Sequence, residues 1–100
     1  DKVEREFWGF SDLAGNVIYP AQSFEKGFFS EGVSWISLRY RKKNNEHIVY
    51  QALIDEQGKE LTLPIYLYTL PFRNGLGVAQ VFGGNWGYLN KQGKVIWWIK

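Results

Sequence analysis

Cysteine is absent from this 100-residue chain, histidine occurs once, and apolar runs are short. Without cysteine there is no disulfide framework, no thiolate zinc site and no cysteine nucleophile. The stretch from Leu61 to Leu70 is the most apolar, but polar residues and a proline interrupt it, and a membrane-spanning helix needs roughly 20 apolar residues. The sequence therefore predicts a domain with no membrane span, no bound metal and no cofactor, and it leaves the cellular compartment open.

A strong charge of either sign is also missing. Twelve Lys and Arg residues face ten Asp and Glu residues, which gives a formal net charge of +2. Nucleic-acid binding depends on a long-range positive field, so this balance argues against a nucleic-acid partner. One hundred residues suffice for a single domain with its own core. Because the sequence begins at Asp1 rather than Met and shows no signal-peptide pattern, we expect an excised or processed piece of a protein.

Aromatic residues and glycine are abundant instead. The chain holds five Trp, six Tyr, seven Phe and 11 Gly. Aromatic side chains suit the pleated, half-buried surface of a sheet, and glycine supplies the positive φ angles of tight turns. We therefore expect an all-β fold.

A repeated segment organises the sequence. The stretch from Trp8 to Ile18 recurs from Trp86 to Ile96, with a glycine seven residues after the tryptophan in both copies. A middle copy from Gln51 to Leu61 keeps the spacing but lacks the Trp-Gly pair. A second landmark, Phe-Ser-Glu-Gly-Val at 29–33 and Phe-Arg-Asn-Gly-Leu at 72–76, stands at the same distance from the preceding turn glycine. Agreement at two landmarks indicates tandem repeats.

These residues resemble the WG repeat family of bacterial proteins. Its unit reads approximately Trp-Gly-aromatic-aliphatic-Asp-x-x-Gly-Lys, then an aliphatic stretch with proline, then Phe-Ser-Glu-Gly-Leu. The resemblance divides a single domain into units at about 8–50 and 51–85 and a half unit at 86–100. It implies a repeat-built β domain that lacks a shared catalytic activity and serves as an interaction module.

The turns define the expected architecture. The segments 12–15, 55–58 and 90–93 each begin with Asp or Asn and end in Gly, a combination typical of a type I turn followed by a left-handed residue. We expect eight or nine antiparallel strands in hairpin order, forming a small sandwich or open barrel. Any helix should be confined to a turn between Ala21 and Lys26. Because a tryptophan at the first repeat position would fill the seam between units, we expect Trp8 and Trp86 to be buried equivalently.

One hairpin is longer than the repeat requires. Eight extra residues follow Gly32 in the first unit, and they predict an extended arm from Trp35 to Tyr50 with a polar bend near 43–46. Arg39 and Arg41 lie on this arm and form, with the two lysines that follow, the only basic cluster in the sequence, and Tyr40 places an aromatic ring within it. An arm that extends beyond its sheet cannot bury both faces internally. We therefore expect Trp35 or Tyr40 to be exposed and the arm to carry binding.

Aromatic residues outside the repeat pattern supply further candidates. Tyr66 and Tyr68 are two residues apart, so on a regular strand they share a face and can form a platform for sugar rings or apolar side chains. In Trp97-Trp98 the two side chains should point to opposite faces, so that one can be buried while the other, in our interpretation Trp98, meets a partner.

Catalysis finds little support in the sequence. His47 has no obvious partners for a triad or a zinc site, and the carboxylate pair Asp55-Glu56 lies in a turn where nothing apolar would raise a pKa. We therefore expect a non-enzymatic protein-interaction module, with self-association as one form of binding. A carbohydrate or cell-wall binding module that uses the exposed aromatic residues is the alternative.

Overall fold

The computed structural model describes residues 8–23, 27–81 and 83–99. Within these ranges there are eight strands: β1 (Trp8–Ser11), β2 (Val17–Ser23), β3 (Val33–Arg41), β4 (His47–Asp55), β5 (Tyr66–Arg73), β6 (Leu76–Val81), β7 (Trp86–Leu89) and β8 (Val95–Ile99). The predicted all-β fold is confirmed. Residues 21–23 belong to β2, so no helical turn forms in the described part of the segment from Ala21 to Lys26, and residues 24–26 lie outside the described residues.

The strands form two antiparallel sheets in chain order. β1 pairs with β2, and a six-stranded sheet runs β3-β4-β5-β6-β7-β8. Pairing is complete along β3 and β4, from Val33 opposite Asp55 to Arg41 opposite His47. Between β4 and β5 the ladder is reduced to Gln51 opposite Tyr66. The six-stranded sheet therefore folds over at this junction, which brings the β3–β4 hairpin against β5–β8.

Five bends share one backbone pattern. In the bends 12–16, 42–46, 55–59, 81–85 and 90–94, the first N–H donates to the fifth carbonyl, and the fourth N–H donates to the first carbonyl. The turn glycines Gly15, Gly58 and Gly93 have φ angles of 89°, 80° and 84°. The prediction of one left-handed conformation at all three is confirmed.

The repeat sequence selects the three glycine bends through their first residue. Asp55 Oδ1 accepts hydrogen bonds from the N–H groups two and four residues later, both at 2.9 Å. Asp12 and Asn90 hold their bends in the same way. A side-chain oxygen thus pairs two backbone donors that the turn would otherwise leave to solvent. Asp or Asn at this position is therefore part of the turn's structure.

Two hydrophobic cores lie on opposite faces of the β3–β4 hairpin. On one face Ile36, Ala52 and Ile54 are fully buried with Tyr19, and Phe10, Phe29 and Leu38 pack against them. On the other face Val33 and Leu53 join a cluster from the following strands that contains Tyr66, Phe72, Ala79 and Leu89. Side chains alternate between the faces of a strand, so the central hairpin supplies both cores.

Successive repeats also meet through their backbones. A Cβ added at Gly58 would lie 2.0 Å from the carbonyl oxygen of Ile18, and one at Gly93 would lie 2.6 Å from that of Leu61. Ile18 and Leu61 each follow the preceding turn glycine by three residues, so the two contacts are equivalent. The Glu31 carboxylate spans the units as well, because it accepts hydrogen bonds from the N–H groups of Asn74 (2.7 Å) and Gly75 (2.8 Å). The turns at Gly58 and Gly93 therefore pack directly against the backbone of the preceding unit.

The repeat tryptophans do not fill the seam. Trp8 is 37% exposed and Trp86 is half-buried, so the expectation that both occupy equivalent buried positions is wrong. The seam is instead closed by the turn backbones and by smaller residues at buried positions, such as Ala52 and Ala79. The repeat position predicts burial of the tryptophan at the seam, whereas the face of the strand on which it lies decides its environment.

Candidate functional site

The outer side of strands β5–β8 carries two apolar cross-strand rows. The first row joins Leu70, Val78, Tyr88 and Trp97 as directly opposed partners, and the second joins Tyr68, Gln80, Trp86 and Ile99. We call these eight residues the aromatic face. Directly opposed side chains on neighbouring strands lie within contact distance, so the rows form one continuous surface.

The aromatic face is open to solvent and contains no Asp, Glu, Lys, Arg or His side chain. Trp97 is 67% exposed, Tyr68 63%, Leu70 54% and Ile99 40%. The other four residues are half-buried. Seven of the eight members are apolar or aromatic and the eighth is Gln80. A contiguous apolar surface of this kind is typical of a binding surface rather than of ordinary exposed sheet.

The inner side of the same strands is packed, and this distinguishes the two tryptophans of β8. Trp98 pairs with Gly87, and a Cβ at Gly87 would lie 3.1 Å from the Trp98 ring. Gly87 thus provides the space for the ring. Trp98 is 44% exposed and Trp97 67%. The predicted opposite orientation is confirmed, but Trp97, which was not among the predicted binding residues, is the one on the aromatic face.

The predicted platform of Tyr66 and Tyr68 is wrong. A shift in the β5–β6 register lies between the two residues, so they do not share a face. Tyr66 is 3% exposed and packs edge-on against Trp35, with ring centroids 5.5 Å apart. Burial raises the pKa of the Tyr66 phenol above its usual value. Tyr68 alone belongs to the aromatic face.

Trp35 is a half-buried core residue rather than an exposed one. Its Nε1–H donates to the Leu70 carbonyl oxygen at 3.0 Å, and its ring also lies 6.2 Å from that of Phe72. It lines a cavity of about 260 Å³, together with Ser37, Gln51 and Thr69. Trp35 therefore links the arm to β5 through a hydrogen bond and ring contacts.

The arm has the predicted length, and its basic end is open. β3 and β4 contain nine residues each, against six in β6 and four in β7, while the bends 42–46 and 81–85 have the same backbone pattern. The extra residues therefore lengthen the strands. Tyr40 is 41% exposed and contacts the ring of Tyr50, Arg41 is exposed, and Arg39 is half-buried. The expectation that Tyr40 is exposed is confirmed.

The described residues contain no group of three His, Cys, Asp or Glu side chains that could hold a metal. Nor do they include a helix that is long and apolar enough to span a membrane. The aromatic face offers van der Waals contact, ring stacking and the hydroxyl and indole donors of its edges. Contacts of these kinds serve binding.

The family model for the WG containing repeat matches residues 8–40 and 53–85, about two thirds of the chain. The chain belongs to the WG containing repeat family. No curated protein and no solved structure matches it. The two matched WG repeats correspond to the first and second units. The aromatic face is formed by the second unit and the half unit that follows it.

Sequence reasoning missed most of the aromatic face. The repeat pattern assigns Trp86 to the core and gives Tyr88 no role, and the binding assignment at 97–98 falls on Trp98 instead of Trp97. The signal that could have found them is the alternation on three consecutive strands at 76-78-80, 86-88 and 97-99, where every residue but Gln80 is apolar or aromatic and which together form a second side beside the buried one. Arg39, Tyr40 and Arg41 lie apart on the arm.

Proposed function

We propose that this WG repeat domain is a non-enzymatic protein-interaction module and that the aromatic face is its main binding surface. The observation that carries the proposal is the continuous, uncharged row from Leu70 to Trp97 across four strands. The structure presents it without a covering element among the described residues. Strongly apolar, aromatic patches that lack charge are the composition of interface centres.

The size of the face suits a specific interface. An aromatic side chain contributes 150–250 Å² of contact, and with Tyr68 and Trp97 about two-thirds exposed the whole face offers on the order of 500 Å². A standard protein interface buries about 800 Å² per partner. The aromatic face with its polar rim therefore provides the centre of such an interface. Tyr and Trp are also the residues that most often dominate binding energy.

The arm is a second element of this proposal. Its exposed end combines Tyr40 with Arg41, and both residue types are enriched at interfaces. Shortening β3 and β4 by four residues each would give an arm as short as the β6–β7 hairpin. We expect the shortened chain to fold and to lose part of its binding. Full binding by a folded, shortened chain would remove the arm from the proposal.

Carbohydrate binding is the second candidate function. A sheet with exposed Tyr68 and Trp97 on one face offers rings on which sugar rings can stack. A glycan ligand would use those rings without needing the aliphatic Leu70 and Val78 between them. A protein partner would use the whole row, and this difference separates the two candidates.

The test compares native chain, Trp97→Ser and Leu70→Ser in two assays. Proteins that the immobilised chain retains from cell extract are identified and then titrated as purified partners, and a glycan array and insoluble cell-wall polysaccharide are probed in parallel. We expect both substitutions to weaken a protein partner at least tenfold. A glycan ligand would be weakened by Trp97→Ser alone.

Leu13→Ser is the matched control, because Leu13 is a fully exposed apolar residue in the first bend, far along the chain from the aromatic face. It should bind as the native chain does. If Trp97→Ser and Leu70→Ser bind as tightly as Leu13→Ser, the aromatic face is not the binding surface. Circular dichroism of each variant establishes that it is folded.

A further inference from the structure

The hairpins β3–β4 and β6–β7 are equivalent elements of successive repeats. Counted from the nearest turn glycine, Ile36 corresponds to Ala79 and Ile54 corresponds to Leu89. All four are fully buried. These positions form the backward face of each hairpin, which packs against the unit before it: β3–β4 against β1–β2, and β6–β7 against β3–β4.

The forward faces of the two hairpins differ. In β3–β4 the forward face includes Val33, 5% exposed, and Leu53, fully buried, because β5–β8 cover it. The equivalent positions in β6–β7 are Leu76, which is 41% exposed, and Tyr88, which is half-buried on the aromatic face. The same structural position is therefore core in one repeat and surface in the next.

The neighbouring strand shows the same pattern. Tyr19 of β2 and Trp97 of β8 both stand four residues after a turn glycine. Tyr19 pairs with Phe10 and is 5% exposed inside the first core, whereas Trp97 pairs with Tyr88, the equivalent of Phe10, and is 67% exposed. The forward side of β6–β8 thus contains the first half of a third core.

The two complete cores show which residues would cover the forward side of β6–β8 and complete the third core. Beside Phe29 or Phe72, the backward faces of both cores contain small or branched residues: Ile36 or Ala79, and Ala52 or Gly87. Such positions leave room for the rings that come from the forward side, as Ile36 and Ala52 do for Tyr19 in the first core. Two forward faces, each with Trp97 and Tyr88, offer no such space to one another. A second copy of the chain has its backward faces at β3–β4 and β6–β7 already buried.

We propose that the forward side of β6–β8 is a docking site for another repeat unit of the WG type, which covers it with the backward face of a β-hairpin. This inference rests on the proposed function and names the class of partner. The interface would continue the repeat pattern, because it has the same arrangement as the two unit-to-unit interfaces already present in the chain. The partner unit brings small and branched residues to Tyr88 and Trp97.

The test joins a further unit to the chain and measures whether it covers the site. Lys100 corresponds in the repeat to Ile65, so a copy of residues 66–100 placed after Lys100 continues the repeat in phase. The chain has no cysteine, so a single Leu76→Cys in the original unit gives a thiol that reports on the site alone. We expect the joined unit to slow the reaction of this thiol with an aromatic disulfide at least tenfold.

A matched control carries Phe72→Ser and Leu89→Ser in the added copy only, which removes the apolar groups of its backward face. This control should leave the thiol as reactive as in the original chain. An added unit that fails to slow the reaction, or that limited proteolysis removes back to the original chain, overturns the proposal.

Two further outcomes would also overturn it. Protection of the thiol in the original chain that rises with protein concentration would identify a second copy as the occupant. Protection by a polysaccharide but not by the joined unit would identify a glycan. Loss of a protein partner in Trp97→Ser together with an unprotected thiol would leave the proposed function standing and refute only the repeat unit as its partner.

Discussion

Replacing Gly58 by alanine tests the unit-to-unit contact most directly. Two costs add at this position. Its φ of +80° places alanine in the left-handed region at a cost of roughly 1–2 kcal/mol. The new Cβ would also lie 2.0 Å from the Ile18 carbonyl oxygen, and because this is backbone the first repeat must shift, at a further cost of about 1–3 kcal/mol. We expect a total loss of about 2–5 kcal/mol in the free energy of unfolding.

Gly15 provides the control for that measurement. It has the same bend and a φ of +89°, but no atom of the described residues lies within 4 Å of its added Cβ. Gly15→Ala should therefore show the conformational cost alone. Urea unfolding followed by tryptophan fluorescence compares the two, with equal slopes required for the comparison. Equal losses of unfolding free energy in the two variants would refute the close contact between the turn at Gly58 and the Ile18 carbonyl of the preceding unit.

Three further predictions concern the turns and β8. Hydrogen bonds from the side chain and backbone of Asn16 lower the pKa of Asp12 below its usual 3.8. The Asp12 carboxylate therefore contributes to stability above that pH, and the contribution is lost as the pH falls towards the lowered pKa. Urea midpoints of the native chain should approach those of Asp12→Asn over this range, and a difference that stays constant with pH would contradict the lowered pKa. Glu31→Ala should lower the free energy of unfolding by about 1–2 kcal/mol, because two charge-assisted hydrogen bonds are lost, and Glu31→Gln should lower it less. Equal chemical-denaturation midpoints for the native chain and both variants would show that the carboxylate contributes nothing. Trp98→Ala should cost about 2 kcal/mol and Trp97→Ala less than about 1 kcal/mol, and the reverse order in thermal melts would mean that their faces are exchanged.

The sequence predicts the turns well because their chemistry is local. Asp12, Asp55 and Asn90 bond their own following backbone, and the glycine that ends each bend is the residue that best tolerates positive φ. The strand order follows from them, since short turns join antiparallel neighbours. The length of the arm was also predictable, because it is a difference between two copies of one repeat.

The binding surface was less predictable, because it depends on which side of a sheet a neighbour covers. A single irregularity between Tyr66 and Tyr68 moves one ring into the core and leaves the other outside, and nothing in the residue types announces it. Trp86 was assigned to the core by analogy with a seam that the structure closes with smaller residues. Periodicity within a strand gives two sides, and only the contacts between strands show which one is buried.

The chain-order arrangement of the strands bears on how this domain folds. Every ladder of the six-stranded sheet joins strands that are adjacent along the chain, so each pairing closes only a short loop, and the entropy lost in closing a loop rises with its length. All-β proteins dominated by non-local pairings fold slowly. This one should instead be able to nucleate at any hairpin and extend in either direction, with β3–β4, the longest and most regular pair, as the favoured starting point.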